Sequence, residues 1–225
     1  MTKKVQNQEE VVVAEAVSKT EKFFEQNGKK VITILAALII VIAGVVGYKF
    51  LVVDKNEKAA AELITYAQEN IKGETPNYEL ALNGDEKGAG FLDVVEQYGS
   101  TKAGNLAKHY AGICYLRLGK LEEAQNYLEK FSPVGSSHMG DIINAQNLGL
   151  QGDVAVELGK YEEAAKLFAK AVKESDNNYT APYYLYKQAL ALQAAGKAEE
   201  AKACCQTIVE KYPNSMEKSA AEKLF

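Results

Sequence analysis

The feature that most constrains this chain is an apolar run at residues 31–48, VITILAALIIVIAGVVGY, which contains no charged side chain. At 1.5 Å per residue a helix of this length spans about 27 Å, close to the hydrocarbon thickness of a bilayer. A buried helix of a globular domain normally keeps a polar face, and this run has none. Because the long stem of Lys49 can reach the interface beside Tyr48, we predict a membrane helix over residues 31–53.

The segment before this run differs from a cleaved signal peptide. Thirty residues of mixed charge precede it, whereas a signal peptide has a short basic segment, an apolar stretch of about 7–15 residues and a small-residue exit. Ala43-Gly44-Val45 is a poor exit of that kind. We therefore expect an uncleaved signal-anchor. The alternative is a soluble periplasmic repeat protein whose amino terminus, after cleavage, would lie near residue 46.

Charge gives an expected orientation. Four lysines lie close before the apolar run and three after it, which favours a cytoplasmic amino terminus; they are Lys19, Lys22, Lys29 and Lys30, against Lys49, Lys55 and Lys58. We expect a short cytoplasmic tail at residues 1–30, the membrane helix at 31–53, and one domain at 54–225. That domain is acidic, with 19 basic and 25 acidic side chains. Binding of nucleic acid needs clustered Lys and Arg, so we expect none.

The domain contains a repeated motif. Gly-Lys-x-Glu-Glu-Ala begins at Gly119, Gly159 and Gly196, at spacings of 40 and 37 residues. This pattern resembles the tetratricopeptide repeat, a pair of antiparallel helices of about 34 residues. The other matching positions are a small residue in the first helix (Gly112, Gly152, Ala189), an alanine in the second (Ala124, Ala164, Ala201), a late apolar residue (Leu128, Phe168, Cys205) and Pro213.

The repeated residues have physical roles in such a pair. Small residues at the crossing point let the two helices approach closely, and the turn glycine ends the first helix in a left-handed conformation. The two glutamates then begin the second helix, where carboxylates favour the positive end of the helix dipole. We predict an all-α fold, a single transmembrane helix followed by a tetratricopeptide-repeat solenoid with about three clear repeats and one degenerate repeat.

The degenerate repeat is predicted to come first. Its helices are expected at residues 55–72 and 88–98, separated by an insertion at 73–88 with turn residues at Asn83-Gly84-Asp85. A final helix at 214–224 would cap the array with a polar outer face. We expect no strands, since alternating β-branched runs are absent.

The anchor and the array together resemble the YfgM family of bacterial membrane-anchored tetratricopeptide proteins, ancillary partners of the secretory translocon. The resemblance covers residue 17 to the end and is most particular in residues 17–50; residues 81–120 are similar to the Bacteroidetes-type branch. It implies a single-pass protein of the bacterial inner membrane with its repeats in the periplasm. The partners it implies are secreted polypeptides, translocon subunits and a periplasmic prolyl isomerase.

Binding is expected on the concave face, which the first helices of the repeats line. The residues predicted for this face are Leu106, His109, Ile113, Arg117, Gln146, Asp153, Glu157, Tyr183, Tyr186, Leu190 and Gln193. They would form an apolar and aromatic groove with one acidic patch, suited to an extended or helical peptide. Asp153 and Glu157 would repel a carboxyl-terminal carboxylate, so we exclude that ligand. The alternative is that several of these tyrosines pack between helices.

No motif indicates chemistry. The chain has two histidines, and Ser-Ser-His-Met-Gly-Asp at 136–141 contains the side chains of a triad that adjacent loop residues cannot arrange. There is no HExxH, phosphate-binding glycine loop or paired CxxC. We expect no catalytic residue, metal, cofactor or disulfide. The predicted function is a non-catalytic, membrane-anchored protein-binding scaffold assisting secretion or periplasmic folding. The alternative is a scaffold for cell-envelope assembly or division.

Overall fold

The computed structural model of the chain describes residues 2–135 and 137–224, with the backbone alone at 2–17, 19, 20 and 24. It divides into two compact units, Met1–Lys55 and Asn56–Phe225. Each unit has its own architecture, and the second contains the repeats.

The first unit is helical throughout its described length. Helix α1 covers Thr2–Tyr48 and continues into a π-helical segment at Lys49–Val53. The large apolar side chains between Ile32 and Val53 are exposed. Among the described residues, one helix is therefore long and apolar enough to cross a membrane, by length and composition. It contains the predicted span at 31–53.

The degenerate first repeat contains strands that the sequence analysis did not predict. Its elements are α2 (Asp54–Glu69), α3 (Tyr78–Asn83), β1 (Gly84–Asp85), β2 (Gly88–Ala89) and α4 (Phe91–Tyr98). The two strands pair antiparallel across a two-residue turn. Gly84 makes this hairpin, because its φ is +69° and a Cβ there would lie 2.5 Å from the Gly88 carbonyl oxygen. The Tyr66 hydroxyl donates to Asp85 at 2.7 Å and holds the hairpin on α2.

Three regular helix pairs and a cap follow. They are α5 (Lys102–Arg117) with α6 (Leu121–Glu129), α7 (His138–Glu157) with α8 (Tyr161–Glu174), α9 (Thr180–Ala194) with α10 (Ala198–Lys211), and the cap α11 (Lys218–Leu224). The cap begins four residues later than predicted, since a turn separates it from α10.

The turn within each pair has the predicted left-handed glycine. Gly159 has a φ of +72°, its N–H donates to the Val156 carbonyl at 2.9 Å, and the Lys160 N–H donates to the Ala155 carbonyl at 2.8 Å. This is the Schellman arrangement, which satisfies the last carbonyls of the first helix. The same two hydrogen bonds recur at the turn glycines 119 and 196. The repeated Gly-Lys dipeptide is thus the structural end of each first helix.

The two helices of a pair meet at the predicted small residues. A Cβ on Gly112 would lie 2.5 Å from Leu128 Cγ, and one on Gly152 would lie 2.6 Å from the Phe168 ring. Leu128 and Phe168 are themselves fully buried. The small residue and the late apolar residue therefore form one contact in the α5–α6 pair and one in the α7–α8 pair, as the repeat pattern predicts.

The core of the second unit has three parts. One apolar cluster joins α2, α3, α4 and α5, and a second joins α7 to α11. Between them lies a small cluster whose buried members are Ala124, Leu128 and Val154. The cluster between α6 and α7 therefore has the fewest buried members of the three, and the candidate site lies beside it.

Candidate functional site

Successive first helices form a groove of about 790 Å³. We call it the central groove; it is lined by Ile113, Leu116 and Arg117 of α5, Gly119 and Leu121 of the following turn and α6, Leu150, Asp153, Val156 and Glu157 of α7, and Tyr183 and Lys187 of α9. The groove crosses the array obliquely, from the carboxyl-terminal end of α5 to the amino-terminal half of α9. Repeat arrays commonly bind extended ligands along surfaces formed by successive repeats.

The central groove has an apolar floor and charged edges. Leu116, Leu150 and Val156 are half-buried, whereas Arg117 and Glu157 are exposed. Arg117 and Glu157 occupy the same place in successive repeats, two residues before the turn glycine. Within the described part of the chain, neither makes a salt bridge. One cation and one anion are thus available to a ligand along an apolar surface.

Lys187 is a groove residue that the sequence analysis did not identify. Its ammonium donates to both carboxylate oxygens of Asp153 at 2.8 Å and lies 4.8 Å from the centre of the Tyr183 ring. Burial acts to lower the pKa of Lys187, but the hydrogen bond with Asp153 and its charge outweigh burial and raise that pKa. The pair links α7 to α9 and neutralises the acidic patch in part.

The structure brings five of the predicted residues into the central groove: Ile113, Arg117, Asp153, Glu157 and Tyr183. Two others pack against the large apolar clusters: Leu106 against the first and Tyr186 against the second. For Tyr186 this agrees with the alternative that tyrosines pack between helices. The remaining surface residues, Gln146, Leu190 and Gln193, are exposed outside the groove lining. The groove runs obliquely across the array, so it includes some of the predicted residues of each first helix and leaves the others outside.

His109 is not a groove residue, and this corrects the prediction. It is 1% exposed, and its ring centre lies 5.6 Å from those of both Tyr110 and Phe131. The Asn147 amide nitrogen is 3.2 Å from His109 Nδ1, so α5 and α7 meet here. Burial lowers the pKa of His109 to about 4, against a smaller opposing effect of a hydrogen bond with Gln146. The equivalent position on α7, Gly149, is also buried, which shows that this register position faces the interior.

The groups most able to do chemistry have structural surroundings. Cys114, Cys204 and Cys205 are buried free thiols, and burial raises the pKa of Cys114 to about 12 and that of Cys204 to about 11. Ser137 caps α7 by accepting from the Gly140 N–H at 3.0 Å; residue 136 of the same segment lies outside the described residues. Across residues 2–135 and 137–224, no three His, Cys, Asp or Glu side chains are grouped to hold a metal ion.

Comparison with known sequences identifies the repeats. Models of the tetratricopeptide repeat family match residues 107–132 and residues 155–222. No curated protein matches the chain. The matched segments cover α6, α8, α9 and α10, most of α5 and α11, and the last three residues of α7. Apart from the short β1–β2 hairpin, the second unit is therefore a helical tetratricopeptide solenoid. Repeats of this kind are typically non-catalytic modules for interaction with other proteins.

Proposed function

We propose, starting from these tetratricopeptide repeats, that the protein is a non-catalytic scaffold that is anchored in a membrane and binds another polypeptide in the central groove. The observation that carries the proposal is the groove itself. Residues of three successive first helices line one volume of about 790 Å³, which falls in the range of ligand-binding clefts.

The chemistry of the groove indicates the ligand class. Its floor suits apolar side chains, and its free charges suit an acidic ligand residue near Arg117 and a basic one near Glu157. Lys187 is already paired with Asp153, so no free cation cluster is present at that end for a terminal carboxylate. We infer an internal segment of a polypeptide, extended or helical, with apolar residues between an acidic and a basic one.

We further propose that the array faces the periplasm of a bacterium and assists secretion or periplasmic folding. The lysine bias around residues 31–53 supports this orientation. The resemblance to translocon-associated proteins supports the choice of clients, which are secreted polypeptides, translocon subunits or a periplasmic prolyl isomerase. A scaffold for envelope assembly would have the same architecture and differ in its clients.

The groove can be tested by crosslinking in cells. A photo-crosslinking amino acid replaces Tyr183, which is 43% exposed in the groove, or Tyr161, which is 37% exposed at the start of the second helix α8. The full-length protein is then purified, and crosslinked polypeptides are identified by mass spectrometry. We expect defined adducts at position 183 and not at 161. Equal adducts at both positions would contradict the groove assignment.

The identity of the adducts tests the task, and protease protection tests the orientation. Adducts with secreted chains, translocon subunits or an isomerase would support a role in secretion. Adducts with envelope-assembly proteins would refute that role and leave the scaffold proposal intact. In spheroplasts, we expect added protease to digest the repeats and to spare a tag at the amino terminus. Digestion of the tag with protection of the repeats would reverse the proposed orientation.

A further inference from the structure

We propose that the tetratricopeptide array flexes at one place, the contact of α6 with α7, and that this motion sets the width of the central groove. We call this contact the α6–α7 junction. The flexing follows from the packing, the polar contacts and the connection at this place, and its effect on binding rests on the function proposed above.

Apolar packing across the α6–α7 junction is sparse. Its buried apolar members are Ala124 and Leu128 of α6 and Val154 of α7, and four partly buried side chains pack against them: Tyr115, Leu116, Leu121 and Leu150. The next contact between repeats is that of α8 with α9, and it lies within one large apolar cluster. The buried residues of that cluster on α8 are Ala164, Ala165, Phe168 and Ala171, and those on α9 include Ala181, Tyr184 and Leu185. Because buried apolar area supplies most of the coupling between neighbouring repeats, the α6–α7 junction is the weaker link.

Polar contacts lie beside the junction, on α5 and α7. Five buried polar side chains occur among the described residues, and three of them are on these two helices: His109, Asn144 and Asn147. Asn147 contacts His109 across α5 and α7, and Asn144 bonds the Val134 backbone at 2.9 and 3.1 Å. Such hydrogen bonds contribute only about 0.5–1.5 kcal/mol each, since water can replace the partner when the contact opens.

The connection between the two helices can absorb a rotation. Residues 130–137 link α6 to α7, and the described part of this segment is irregular. Two asparagines hold it: Asn105 exchanges hydrogen bonds of 2.7 and 2.8 Å with the Ser132 backbone, and Asn144 bonds the Val134 backbone. Hinges in proteins are commonly short irregular segments of this type between rigid elements.

The central groove lies beside the same junction, between α5 and α7. Ile113 and Leu116 line it on the α5 side, and Leu150 and Val156 line it on the α7 side. A change in the angle between α5 and α7 therefore widens or narrows the floor. The contacts of α7 with α8 and α9, including the Lys187–Asp153 pair, all lie on one side of the hinge. Helices α7, α8 and α9 would therefore move together as one rigid body.

Spin-label distances in the full-length protein, reconstituted in lipid nanodiscs, test the flexing. Glu123, Glu163 and Glu200 occupy the same position at the start of successive second helices, and all are exposed. The double variant Glu123→Cys/Glu163→Cys spans the α6–α7 junction, and Glu163→Cys/Glu200→Cys spans the next contact as a matched control. The native cysteines are buried, and the unsubstituted protein reports any labelling of them.

We expect the distance distribution across the α6–α7 junction to be about twice as wide as that of the control pair, as sparse packing predicts. Distributions of equal width would overturn the proposal. The two proposals fail separately, because a rigid junction with crosslinking at Tyr183 refutes only the flexing. A flexible junction with no adduct at Tyr183 would refute the groove and its regulation while leaving the hinge.

Discussion

Acid should destabilise this protein through His109. The neighbours of its ring are Tyr110, Phe131, Asn147 and Gln146, all uncharged. Burial lowers the pKa of His109 from 6.5 to about 4. The unfolded chain therefore takes up a proton at a pH at which the folded protein does not. Stability is complete above pH 6.5 and is lost as the pH falls from 6.5 towards 4.

The size of this loss follows from the two pKa values. The interval from 6.5 to about 4 corresponds to about 3 kcal/mol of unfolding free energy, at 1.36 kcal/mol for each pH unit. Most of it falls within an accessible range, since about 2 kcal/mol is lost between pH 7.5 and pH 5. The loss comes from a single ring, so a variant without that ring should not show it.

Urea unfolding of the full-length protein in mild detergent, followed by circular dichroism at pH 7.5 and pH 5, measures the effect. His109→Gln removes the titrating group, and we expect its stability relative to wild type to rise by about 2 kcal/mol on acidification. The control is His138→Gln, since His138 is exposed at the start of α7 and should follow wild type. Parallel behaviour of His109→Gln and wild type would refute the reasoning.

Three further outcomes are expected. Phe168→Ala, which removes the ring that contacts Gly152, should lower the unfolding free energy in urea by about 3–5 kcal/mol. A loss of unfolding free energy below about 1 kcal/mol would contradict this packing. Gly159→Ala, at a φ of +72°, should cost about 1–2 kcal/mol; Gly135→Ala, where the Cβ position is open, is the control, and equal effects would refute the role of the turn. Cys114, with its pKa raised to about 12 by burial, should resist maleimide in the native protein and react in urea, and equal rates would show that the thiol is accessible.

The helix pairs could be predicted because their signals are local or repeat at fixed positions. The turn glycines 119, 159 and 196 have the left-handed φ that their spacing predicted. Gly112 and Gly152 touch the apolar residues expected opposite them. These contacts join residues within one repeat, so a single motif specifies both partners.

Features that depend on neighbouring repeats could not be predicted in this way. His109 shares its register position with Gly149, and only the packing of α5 against α7 shows that this position is interior. Lys187 lies four residues after Tyr183 on α9, a spacing that places both on one face, but its partner Asp153 is on another helix. The hairpin at Gly84–Ala89 turns at Glu86-Lys87, after the Asn83-Gly84 pair that the sequence offered as turn residues. It also lacks the flanking strand pattern by which a hairpin is normally recognised.

The Schellman turns have a consequence for how the length of this chain can vary. Helices α6 and α7 contain 9 and 20 residues, and α8 and α9 contain 14 and 15, the same total between successive turns. The three residues by which the repeat spacings differ therefore lie in the connections, 130–137 against 175–179. Insertions and deletions in related sequences should collect in those connections and spare the turns. A duplicated segment cut at two turn glycines would lengthen the array by one complete repeat without disturbing its register.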